Sequence, residues 1–150
     1  MISELSIELN KLIKGLSDVG DKYFDVIDLD DMKARLDTNK GVGVGIAYGG
    51  TLPTPNDTGM AKSKSSSVRM IDIRFHVIVS YWYSTEDSED TKVKAFGLLD
   101  EIREKVLGQR SAVTNRPWEF ISETPLENDG EDATIYYMQT WKVRSSQSSL

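Results

Sequence analysis

The stretch from Val68 to Tyr83 alternates in character over nearly its whole length, and it limits the folds open to the chain. Ile71, Ile73, Phe75, Val77, Val79, Tyr81 and Tyr83 fall on one face of an extended backbone. Asp72, Arg74, His76 and Ser80 fall on the other, with Ile78 and Trp82 as apolar exceptions. A period of two means a β-strand with one face against a core. At about 3.3 Å per residue such a strand exceeds ~40 Å, longer than most. The pattern therefore predicts a strand that reaches past the body of its domain.

The rest of the chain supplies partners for that strand. Ile2, Leu5, Leu9, Leu12, Ile13 and Leu16 make one stripe of an amphipathic helix, ended by Gly15 and Gly20. Residues 22–29 read as a short strand, followed by a short helix from Met32 to Leu36. Val42, Val44, Ile46 and Tyr48 alternate with Gly43, Gly45 and Ala47. That predicts a second strand with one nearly bare face, against which something packs close to the backbone. From Gly49 to Ser67 the spacing predicts a long polar loop. Phe96, Leu99, Ile102 and Val106, with Ala95 and Leu98 beside them, predict a helix to Leu107. Acids at its start, Arg103 and Lys105 near its end, and Gly108 beyond suit the helix dipole and a C′ glycine. Pro117 to Glu123 and residues 133–144 read as two more strands, joined by an acidic turn.

Strands joined by turns and loops, with helices between, predict an α+β fold. The expectation is an antiparallel or mixed sheet of four to five strands with two to three helices on one face. One domain spans 1–144, and 145–150 is expected to be a flexible polar tail. A chain of 150 residues has length enough for one core.

Composition narrows the chemistry. No cysteine is present and His76 is the single histidine. Thiol nucleophiles and multi-histidine metal sites are therefore excluded. The formal charge is −6, a poor balance for wrapping duplex DNA, whose phosphates must be met by cations. No apolar run approaches the ~18 residues that span a bilayer. The opening Met1-Ile2-Ser3-Glu4-Leu5 lacks the basic and apolar regions of a secretory leader, so synthesis in a cytoplasm is expected.

Individual motifs favour structure over catalysis. His76 lies on the polar face of a strand, where a strand role outweighs a base. Gly41-Val42-Gly43-Val44-Gly45 lacks the third glycine and the following helix of a dinucleotide fingerprint. Glu86, Asp87, Glu89 and Asp90 do not follow a calcium-loop pattern, and a solvated helix start accounts for them. Asp28, Asp30 and Asp31 are read as caps. No catalytic residue, cofactor or metal is expected. Interaction is the remaining theme: Lys62, Lys64 and Arg69 form a basic stretch, and Tyr81, Trp82, Tyr83 and Tyr136 are aromatics suited to an interface.

The segment Phe96-Gly97-Leu98-Leu99-Asp100-Glu101-Ile102-Arg103-Glu104-Lys105-Val106-Leu107-Gly108 resembles a helix of small bacteriophage tail proteins, of the form L-L-D-x-I-x-x-x-L-x-G. Gly41 to Gly49 resembles the strand P-A-V-x-V-x-Y-x-G of the same group, departing from it at Gly41-Val42, where proline is common. Trp118 to Glu123 and Tyr136 to Val143 match its last strands. Over residues 2–144 the chain resembles the Mu-like tail terminator, or tail completion, family. The resemblance implies a hexameric ring that caps the head-proximal end of the tail tube, stops tube growth and presents a joining surface to the head. It implies contacts with the tail tube protein, the sheath and head–tail connector (neck) proteins, and genomic DNA passing through the lumen without sequence-specific binding. The implied location is the tail–neck junction of the virion. A head–tail connector subunit is the nearest rival reading. A monomeric binding module, and a small hydrolase using His76 and Asp30, stand further off.

Overall fold

A computed structural model gives the architecture and describes residues 1–16, 23–25, 41–55, 68–82, 88–126 and 134–148. Helix α1 spans Ile2–Lys14, β1 Tyr23–Asp25, β2 Val42–Pro53, β3 Val68–Trp82, α2 Ser88–Val106, β4 Trp118–Leu126 and β5 Thr134–Ser148. The sheet order is β1-β2-β3-β5-β4. Only the short β1 runs parallel to its neighbour β2; the other pairs are antiparallel. The fold is α+β, as the alternation of strand and helix patterns predicts. The short helix expected at Met32–Leu36 lies outside the described residues.

Both helices bury their stripes on one face of the sheet. Leu5, Leu9 and Ile13 of α1 join Ala95, Leu98, Leu99, Ile102 and Val106 of α2 in one core. The sheet answers with Val44, Ile46, Phe75, Val77, Val79, Trp118, Trp141 and Val143. Helix α2 stops where Gly108 takes a φ of +75°, the left-handed turn that side chains resist and glycine accepts. The Gly108 N–H then donates to the Trp118 carbonyl at 3.1 Å, which turns the chain into β4.

Strand β3 is 15 residues long and pairs rung for rung with β5, from Val68 opposite Ser148 to Trp82 opposite Thr134. Three expectations change as a result. Residues 49–53 are not loop: β2 continues through a bulge between Tyr48 and Gly50 and pairs as far as Pro53 with Ile71. Residues 145–148 are not a free tail. They extend β5, because a backbone ladder needs no apolar side chain once a partner strand is present, and Ser145 is buried. Strand β4 runs past Glu123 to Leu126, with a second bulge between Phe120 and Ser122.

The far face of the sheet is not merely polar. Ile78, Ala47 and Tyr136 are buried there together, with Leu126 and Met138 packed against them. Gly43 and Gly45 on the same face are buried too.

Candidate functional site

The aromatic and basic residues singled out by sequence separate in the structure. Tyr81 is only 3% exposed. Its ring stacks on Tyr137 at 6.4 Å and meets the edge of Phe96 at 6.3 Å. Tyr136 is 2% exposed. Neither presents an aromatic surface to a partner, which corrects their assignment to an interface. Period-two alternation gives the face of each ring and not whether that face is covered. Trp82 closes β3 opposite Thr134, and Arg69 is exposed near the start of β3. Lys62, Lys64 and Tyr83 lie outside the described residues.

A polar cluster on the far face takes their place. Asp72 is 3% exposed. Its Oδ1 accepts from Thr54 Oγ1 at 3.0 Å and from Arg144 Nε at 3.1 Å, and Lys142 Nζ stands 3.6 Å from Oδ2. Arg144 pairs with Asp72 across the β3–β5 ladder, and Lys142 pairs with Arg74 on the next rung of this face. Burial alone raises the carboxyl pKa. The bonds from Arg144 and Thr54, with the charges of Lys142 and Arg144, outweigh it and hold the pKa below the ordinary 3.8. A carboxyl so depressed contributes stability that is present above the unfolded pKa and lost as pH falls through the folded one. Asp72→Asn is therefore expected to cost about 1–3 kcal/mol at neutral pH. It should also flatten the loss of stability below pH ~4, as read by urea unfolding at a series of pH values.

His76 occupies the next rung of this face. Its Nδ1 lies 3.1 Å from Thr140 Oγ1. A Cβ added to Gly49 would sit 2.7 Å from its Nε2, so the bulge of β2 needs a glycine here to let the imidazole lie over the backbone. Burial, and then the charge of Arg74, lower the His76 pKa below 6.5, which favours the neutral ring. Gly49→Ala should cost about 1–2 kcal/mol by overpacking. Most of that cost should vanish in a His76→Ala background, a double-mutant cycle read by thermal unfolding.

On the helix-covered face Gln139, fully buried, ties the sheet to α2. Its Nε2 donates to the Leu99 carbonyl and to Glu123 Oε1, each at 2.9 Å, and its Oε1 accepts from Trp141 Nε1 at 3.1 Å. Arg103 bridges Glu123 and Asp100. At the opposite side of the core, Glu8 accepts from Trp118 Nε1 at 2.9 Å and from the Ala112 N–H at 2.8 Å. These polar contacts fix elements against one another and leave the loop 108–117 tightly held.

Among the described residues no group of three or more His, Asp or Glu side chains is placed to hold a metal ion. No described helix is long and apolar enough to cross a membrane. A scan against protein-family models finds no match, and a search of curated proteins finds none.

Proposed function

We propose that the chain is a structural subunit of a long-tailed phage virion. In this reading it caps the head-proximal end of the tail tube as a hexameric ring, ends tube growth and presents the joining surface to the neck. It works by shape and self-association, without turnover or cofactor, at the tail–neck junction. The observation that carries the reading is the fifteen-residue β3–β5 ladder. It continues beyond the last rung of β2, at Ile71, and beyond the first rung of β4, at Val143. From Arg144 to Ser148 the outer edge of β5 has no strand beside it among the described residues. An edge of that kind offers backbone donors and acceptors to a neighbour. The resemblance of Phe96–Gly108 and of the strands around it is what points this reading to a tail terminator rather than to another ring.

The test is electron microscopy of particles made without this protein. Overlong tails, or tails that fail to join heads, are expected. Normal tails of fixed length on filled heads would overturn the reading.

A further inference from the structure

The β3–β5 ladder fixes which way the last residues of β5 turn their backbone groups. The Thr54 N–H donates to the Met70 carbonyl at 3.1 Å, so Met70 bonds towards β2. Backbone groups alternate in direction along an antiparallel strand, so Arg69 and Ile71 bond towards β5. Their rung partners there are Gln147 and Ser145. Arg144, Ser146 and Ser148 therefore aim their N–H and C=O groups away from β3, where the line of β4 would continue.

Strand β4 does not reach them, and the reason is local. It begins at Trp118, opposite Val143. One residue earlier stands Pro117, which has no N–H to give to Arg144. Pro117 instead forms an isolated bridge with Arg110. The chain leaves the sheet through a hairpin, in which the Trp118 N–H donates to the Gln109 carbonyl at 2.9 Å and the Ser111 N–H to the Arg116 carbonyl at 2.8 Å. Among the described residues no backbone hydrogen bond meets the outer edge of Arg144–Ser148. The Ser146 carbonyl accepts from Ser145 Oγ at 3.3 Å and keeps a second lone pair. Open edges are ordinarily guarded by bulges, prolines or charges. Strand β4 has a bulge between Phe120 and Ser122, and Pro125 beyond it. Arg144–Ser148 has neither a proline nor a bulge.

Charge selects the occupant. The described strands and hairpin at this end of the sheet carry Arg69, Arg74, Arg110, Arg116, Lys142 and Arg144, with Asp72 and Glu119 as their acids. Asp72 is taken by Arg144 and Thr54, and Glu119 stands opposite Lys142. Glu8 reaches in from α1 but is taken by the Trp118 Nε1 and Ala112 N–H groups. Arg110 and Arg116 are exposed on the hairpin beside the open edge. In a chain of net charge −6 this end is a local excess of cations.

We propose that the outer edge of β5 at Arg144–Ser148 receives an extended, acidic segment of a different protein, which adds a strand to the sheet. Main-chain bonds to Arg144 and Ser146 supply affinity, and the flanking arginines select carboxylates. Nucleic acid fits less well, because it presents no strand edge to pair with these groups. The inference deepens the reading above and rests on it for the setting, a junction where unlike proteins meet.

The experiment uses the full chain and a short fluorescent peptide in which Glu alternates with Val, with a Lys–Val peptide as control. By fluorescence anisotropy the Glu peptide should bind about tenfold or more tighter than the Lys peptide. By nuclear magnetic resonance it should slow amide exchange at Arg144 and Ser146, and leave Ser145 and Gln147, already bonded to β3, unchanged. Ser146→Pro removes one outward N–H and no bond of the β3–β5 ladder, and should weaken binding by about fivefold or more. Arg116→Glu should weaken it by a similar factor. Circular dichroism confirms folding; should Ser146→Pro not fold, Arg116→Glu and the exchange pattern decide. No binding, equal binding of both peptides, or protection without the alternation would overturn the proposal. So would self-association of the chain that Ser146→Pro abolishes, which assigns the edge to a second copy, or binding of duplex DNA in place of the peptide. Each of these leaves the ring reading standing, whereas normal tails in particles lacking the protein would remove that reading by a separate route.

Discussion

Trp118→Ala is expected to lower stability by about 3–5 kcal/mol, measured as a fall in the urea midpoint with little change in slope. The indole is fully buried and meets the edge of Phe75 at 5.9 Å. Truncation leaves a cavity between α1, β3 and β4 that the surrounding side chains cannot fill without leaving their rotamers. It also removes the Nε1 donor to Glu8, the residue that ties α1 to the loop before β4. Trp118→Phe separates the two effects. It keeps most of the packing and loses the hydrogen bond, so it should cost about 1–2 kcal/mol. An equal loss in both variants would show that the ring volume contributes nothing, against this account of the core.

Gln139→Leu should cost about 2–4 kcal/mol although it nearly conserves volume. The leucine leaves the Leu99 carbonyl and the Trp141 Nε1–H without the partners they have now. It also removes one of the donors that hold Glu123. A buried polar group stripped of its partner costs more than the hydrogen bond itself contributed. A neutral or stabilising result by urea unfolding would mean that the network is dispensable and that apolar packing alone seats α2 on the sheet.

These two residues show what could be read from the sequence. The long strand, the bare face of β2, the stripes of both helices and the C′ glycine all depend on local period and local backbone preference, and each is legible. Gln139 carried a signal of its own: it falls on the apolar face of β5, between Tyr137 and Trp141. A polar residue at such a position implies a buried partner, and only the tertiary structure says that the partners are Leu99, Glu123 and Trp141.

Asp72 was visible as a polar-face residue. Its burial, however, depends on Lys142 and Arg144, which the β3–β5 register brings up from seventy residues away. Register of that span is not encoded in any local pattern. The same holds for residues 145–148, which are polar serines and a glutamine by composition and become strand only because Val68–Ile71 lies alongside. Tyr81 and Tyr136 failed as interface residues for the complementary reason. Aromatics suit an interface and a core equally well, and sequence does not say which surface a neighbouring element covers.

The proposed function rests on assembly, so it is tested most directly by looking for the chain in virions. Electron cryo-microscopy of intact virions should show six copies of this α+β fold in a closed ring where the tail meets the neck, each touching the next. A map of that junction with every subunit assigned to other chains, and no copy of this one, would contradict the account.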